Sequence, residues 1–235
     1  MSGGVTRDDL DAYLREHPEI VERRREVDRR RKEAIQRFQR EEGRVLVDLQ
    51  AAGVNVASLD DLANRKLSRS EYLRALPVLI EWLRRMTEPD VKWSIVRALG
   101  ASHAREARKA LIEEFRRPQP NENVAWQIGN ALSRVADASA FDDVAALLRD
   151  RRYGRARQQL CRALVRTKDP RAEGVLIEVL DDDDVTAQSI EALGKLRSAR
   201  ARPKIETFLT HPNALFRREA KRVLRRIDSD TSHKR

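Results

Sequence analysis

A nine-residue pattern recurs five times along the chain, and this repetition restricts the possible folds more than any other feature. The segments are VKWSIVRAL from Val91, VAWQIGNAL from Val124, ARQQLCRAL from Ala156, VTAQSIEAL from Val185 and FRREAKRVL from Phe216. They align without gaps, and their starts lie 33, 32, 29 and 31 residues apart. A period in this range marks a stacked architecture, in which no unit buries its own apolar face and neighbours complete the core. In every segment the first, eighth and ninth positions are apolar and the fifth is apolar or small. That spacing describes one buried face of a helix. These are the B helices.

A second apolar-periodic segment precedes each of them: ALPVLIEWL ending at Leu83, ARKALIEEF at Phe115, AFDDVAALL at Leu148, AEGVLIEVL at Leu180 and ARPKIETFL at Leu209. These are the A helices. Turn and cap residues separate A from B, namely Pro89 and Asp90, Pro118 to Asn123, Gly154, Asp181 to Asp184, and Pro212 with Asn213. The expected unit is helix, turn, helix, and Leu99, Leu132, Leu164, Leu193 and Leu224 are its equivalent core positions.

The strings DVKWSIVRALG and DDVTAQSIEALGKL resemble the Asp, Val, variable, Ala, Leu, Gly pattern of bacterial HEAT repeats, of the short kind found in phycobilisome lyases. The resemblance covers about residues 75 to 227. It implies an all-α fold, a right-handed α-α superhelix or HEAT-like solenoid, and a docking role rather than a catalytic one. No lyase chemistry follows, because the single cysteine, Cys161, sits at the sixth position of a B helix, where packing explains it. The expected organisation is an N-terminal helical extension over 1–70, the solenoid of about five helix pairs over 71–228, and a disordered tail over 229–235.

The extension has its own signals. Thr6 and Asp9 have capping-box spacing, Pro18 suits a first helical turn, and Gly53 suits a left-handed stop. A long charged helix from Pro18 to about Ala52 is therefore expected, projecting into solvent at its start, richer in apolar residues at Ile35, Phe38, Val45, Leu46 and Leu49, and docking on the first repeat at its end. Glu26, Asp28 and Glu33 sit three or four residues from basic partners, as on a self-paired helix surface. Ser58 and Ser68, each three residues before an acid, read as helix caps.

Composition excludes several classes. Charged residues make up 37% of the chain and aromatics 5%, which suits thin helical layers better than one thick core. No run approaches the roughly 20 apolar residues that span a bilayer, so no membrane contact is expected. A start rich in acids and a lone cysteine point to the cytoplasm. His17, His103, His211 and His233 lack second ligands at metal spacing, the Asp181–Asp184 run lacks a calcium loop's alternation and glycine, and no phosphate-loop, dinucleotide or serine-hydrolase string occurs. No cofactor, metal or catalytic residue is expected.

The third and seventh positions of the B helices lie one turn apart on a face that a HEAT stack leaves open. They form a ladder of Trp93 and Arg97, Trp126 and Asn130, Gln158 and Arg162, Ala187 and Glu191, and Arg218 and Arg222. Tryptophan and arginine are the residues of which binding hot spots are made. The site expected is Trp93, Arg97, Trp126, Asn130, Gln158, Arg162, Arg218 and Arg222, and its expected ligand is a protein. Nucleic acid is the alternative. Residues 195–235 hold 13 Lys or Arg against 4 Asp or Glu, 13 − 4 = +9 of the net +10, and Arg217, Arg218, Lys221, Arg222, Arg225 and Arg226 share one segment. A polar cap on the last repeat accounts for the same charge. Alkylpurine DNA glycosylases with HEAT-like stacks supply an enzymatic third reading, but Asn130 stands where that chemistry wants a carboxylate.

Overall fold

The structure, a computed structural model, describes residues 6–64, 67–101, 104–119 and 121–232, without the side chains of 8–12 and 229–232. The Asp9 side chain, His103, Pro120 and His233 lie outside this set. Thirteen α-helices and five short 3-10 segments make up the described chain, with no strand among the described residues. The fold is an all-α, HEAT-like solenoid carrying a long helix at its N-terminal end.

Five pairs follow one another: α4 (Arg69–Arg85) with α5 (Pro89–Leu99), α6 (Arg108–Phe115) with α7 (Glu122–Val135), α8 (Phe141–Arg149) with α9 (Leu160–Arg166), α10 (Ala172–Glu178) with α11 (Thr186–Leu196), and α12 (Arg202–Glu206) with α13 (Ala214–Ser232). The even-numbered helices form the A layer and the odd-numbered ones the B layer. Each B helix packs on the next, more closely than the A helices pack on one another. Leu99, Leu132, Leu164 and Leu193 have no solvent exposure and Leu224 has 8%, which makes the five equivalent in register. Small residues allow the close approach: a Cβ on Gly194 would lie 2.7 Å from the Val223 side chain, and one on Gly100 would lie 3.2 Å from Ala131.

The third B helix departs from the pattern. Its first residues, Arg151–Gln159, wind as 3-10 turns across Gly154, whose φ of +47° is open to glycine at little cost, and the α-helix begins only at Leu160.

In the N-terminal third, α1 (Arg7–Glu16) leads into α2 (Pro18–Ala51), with Pro18 in the first turn. The end of α2 is a Schellman stop: Gly53 has a φ of +75°, and the Gly53 and Val54 amides donate to the Gln50 and Leu49 carbonyls. Only Val45 and Leu49 of α2 are buried, whereas Ile20, Val27 and Ile35 are exposed. Along the exposed part, Glu26 and Glu33 are taken by Arg29 and Arg30. The docked end is fixed by Trp82 of α4, whose indole donates to the Asp48 carboxylate at 2.8 Å while the Arg85 guanidinium covers the ring at 3.7 Å. A capping box closes around Ser68 and Glu71, and Ser58 accepts the Asp61 amide. The segment between these caps is more than a connection. Its helix α3 (Leu59–Asn64) packs on α5 as α5 packs on α7, and so prolongs the B layer by one short helix.

Candidate functional site

Position two of the B helices, which periodicity did not single out, turns inward and ties the layers together. Lys92 pairs with Glu114 of α6 at 2.5 Å, both buried. Arg157 has no exposure: its Nε donates to the Gly154 carbonyl at 3.0 Å, and its Nη1 donates to the Leu148 carbonyl and to Asp182 Oδ2, each at 2.9 Å. The Thr186 hydroxyl donates to the Leu180 and Asp182 carbonyls, and Arg217 to the His211 and Pro212 carbonyls. The A-to-B turns of the third, fourth and fifth repeats are thereby held by a side chain that reaches back, whereas Lys92 reaches forward to the next repeat and Ala125 carries no polar group. The Asp181–Asp184 run, expected to cap α11, does different work, since α11 has no side-chain cap and Asp182 instead receives the buried guanidinium of the preceding repeat. Cys161 is likewise buried, 3.4 Å from the Ser189 hydroxyl, and burial pushes its thiol up to about 12, so it stays protonated and unreactive.

Positions three and seven face outward, with one exception. Ala187 is buried, although it lines the same cavity as Gln158. Trp93 and Trp126 are half-buried, and among the described residues Trp93 leans on the core whereas Trp126 does not. The two indoles line one cavity of about 320 Å³ together with Pro89, Asp90, Asn121, Asn123 and Val124. Further along the same layer, Gln158 lines a cavity of about 380 Å³ with Asp183, Asp184, Asn213 and Leu215.

The polar rungs are engaged within the chain. Arg97, expected to be available to a ligand, is held by α3, donating to Asp60 at 2.8 Å and to Asn64 at 2.7 Å. The prolonged B layer is the reason. The Asn130 amide donates to Gln127 at 3.3 Å, and Gln158 to the Asp184 carbonyl at 3.0 Å. Arg162 donates to both oxygens of Glu191 at 3.1 Å, and Lys195 approaches the same carboxylate at 2.9 Å. Burial opposes ionisation of Glu191, but these two cations hold its carboxyl below the usual range. The one acid on the ladder is therefore ionised and doubly paired at neutral pH, a poor general acid. Arg222 pairs with Glu219, and Arg218 stays exposed 3.8 Å from the same residue.

The stacked pairs, the inward anchors and the small residues at the helix contacts all describe helix-turn-helix repeats. Residues 76–164 match the family model for HEAT repeats. The HEAT match spans three pairs, from within α4 to within α9, and the two pairs beyond it continue the same layers. A search of curated proteins finds no match to the chain. Among the described residues no helix is long and apolar enough to cross a membrane, and no three His, Cys, Asp or Glu cluster as metal ligands do.

Proposed function

We propose that this HEAT-repeat chain is a non-enzymatic scaffold that binds a protein partner on the open side of its B layer. The observation that carries the reading is the slot between Trp93 and Trp126. Two indoles from consecutive repeats, half-buried, share one cavity whose lining also includes Pro89, Asp90, Asn121 and Asn123. Large rigid aromatics beside amide groups give a buried anchor with directional polar contacts around it. Glu191, ionised and doubly paired, and Cys161, buried and protonated, are poorly suited to acid or nucleophilic chemistry, which supports binding over catalysis.

Trp126→Ala tests this. Because Trp126 is only half-buried, the change should leave the free energy of urea unfolding within about 1 kcal/mol of the parent, whereas a fully buried tryptophan loses about 3–5 kcal/mol. Proteins retained from a host lysate by the parent chain and by Arg149→Ala, an A-layer control, should be lost with Trp126→Ala. Titration of the purified partner should then show a loss of at least about 2 kcal/mol, roughly 30-fold in Kd. A large loss of stability makes Trp126 a core residue, and unchanged partner affinity removes the slot from the site.

A further inference from the structure

Continuing the B-helix register past its ninth residue reveals a row that the repeat pattern alone does not include. Position eleven is Ala101 in the first repeat and then Arg134, Arg166, Lys195 and Arg226 in the next four. All four cations are exposed. They stand one turn beyond position seven, where Arg162 and Arg222 lie, so two adjacent rows crossing four repeats present six cations. The only acid in these rows over the same repeats is Glu191. Arg134 and Arg166 make no ion pair among the described residues.

Two ordinary explanations account for part of this charge but not for the rows. Helix dipoles favour a cation in the last turn by about 0.3–1 kcal/mol. Arg134, Arg166 and Lys195 sit there, but Arg226 does not, since α13 continues to Ser232. A polar cap on the terminal repeat explains other residues. Position six is Val96, Gly129, Cys161 and Ile190 before becoming Lys221, and position ten is Gly100, Ser133, Val165 and Gly194 before becoming Arg225. Those two positions face the next repeat, and in the last one they carry charge. Lys221 and Arg225 thus belong to the end face; in the rows, Arg162 and Lys195 share Glu191 and Arg222 pairs with Glu219, which leaves Arg134, Arg166 and the net positive charge of the rows to be explained.

We propose that these rows are a track for the phosphate backbone of duplex DNA. Neighbouring helices lie 8–10 Å apart, so four repeats set cations along roughly 25–30 Å, about eight base-pair steps of 3.4 Å. From the second repeat to the fifth the rows hold no aromatic or apolar side chain to anchor a protein, and arginine and lysine heads suit phosphate contacts without base readout. The track uses different residues from the indole slot, so either surface can fail its test alone.

The full chain would be titrated against a labelled 20-base-pair duplex of mixed sequence by fluorescence anisotropy at several salt concentrations. Four or five phosphate contacts should lower affinity by about 10²- to 10³-fold between 50 and 200 mM salt, and Arg134→Gln with Arg166→Gln should reduce the logarithmic salt slope by about 2. Lys221→Gln with Arg225→Gln removes the same charge from the end face and should leave the slope nearly unchanged. Thermal melts check that both double variants fold. The proposal is overturned by absence of duplex binding at low salt, by a flat salt response, by equal losses in the two double variants, or by poly-glutamate competing as well as DNA.

Discussion

Changing Asp182 to alanine is expected to cost about 3–5 kcal/mol of folding stability, because it leaves the Arg157 guanidinium buried without its counter-charge. The Arg157 side chain has no exposure and that of Asp182 has 10%. Two backbone carbonyls would remain as acceptors, and Asp184, 3.6 Å from Nη2 and half-exposed, is a weak substitute. Replacing both partners at once, Arg157→Met with Asp182→Leu, should cost less than the sum of the single changes, since no charge is then stranded. Urea unfolding of the four proteins measures the cycle, and additive losses would show that the pair does not couple. The pH dependence has a definite sign. Burial opposes ionisation of Asp182, but the Arg157 bond and charge, the Asp184 amide and Arg151 outweigh it and hold the carboxyl below its ordinary 3.8. Its folded value lies below its unfolded one, so the stabilisation is complete above about pH 4 and is lost as pH falls below 3.8 through the folded value. Asp182→Ala should therefore show a shallower acid limb than the parent.

This pair marks the boundary of what the sequence discloses. Period, helix type and the five equivalent leucines were legible because each rests on spacing within a dozen residues. The caps at Ser68 and Gly53 were legible for the same reason, their chemistry being local. Position two was not. Lys92, Ala125, Arg157, Thr186 and Arg217 are of four residue types, and the partners of the polar ones lie on different elements, so nothing short of the stacked geometry shows that three of them hold their turns. Arg97 illustrates the converse. Its place on the open face followed from the register, but its commitment to Asp60 and Asn64 depends on α3 continuing the layer across 33 to 37 residues of sequence. The row at position eleven was readable in principle, since it needs only the register extended by two residues. The aligned segment stopped at the ninth residue, where the apolar pattern ends.

Leu164→Ala is the other change with a large expected effect, about 2–5 kcal/mol, and its comparison with Leu224→Ala tests the architecture as well as the site. Leu164 is fully buried in α9, and α9 packs against α7 on one side and α11 on the other. Truncation there removes apolar burial and leaves a cavity whose walls are held from both sides, which places the loss in the upper part of the range. Leu224 occupies the same register in α13 but retains 8% exposure, and among the described helices α13 has a B-layer neighbour on one side only. Its surroundings can collapse into the space, and its loss should fall near or below 2 kcal/mol. A stack stabilised by nearest-neighbour contacts adds a kinetic corollary: a weakened terminal repeat frays on its own, whereas a weakened central one uncouples the repeats on both sides. Hydrogen exchange should accordingly show lost protection confined to α12 and α13 in Leu224→Ala, and spread from α7 to α11 in Leu164→Ala. Equal unfolding losses with identical exchange patterns would mean that the chain melts as one cooperative body rather than as coupled repeats.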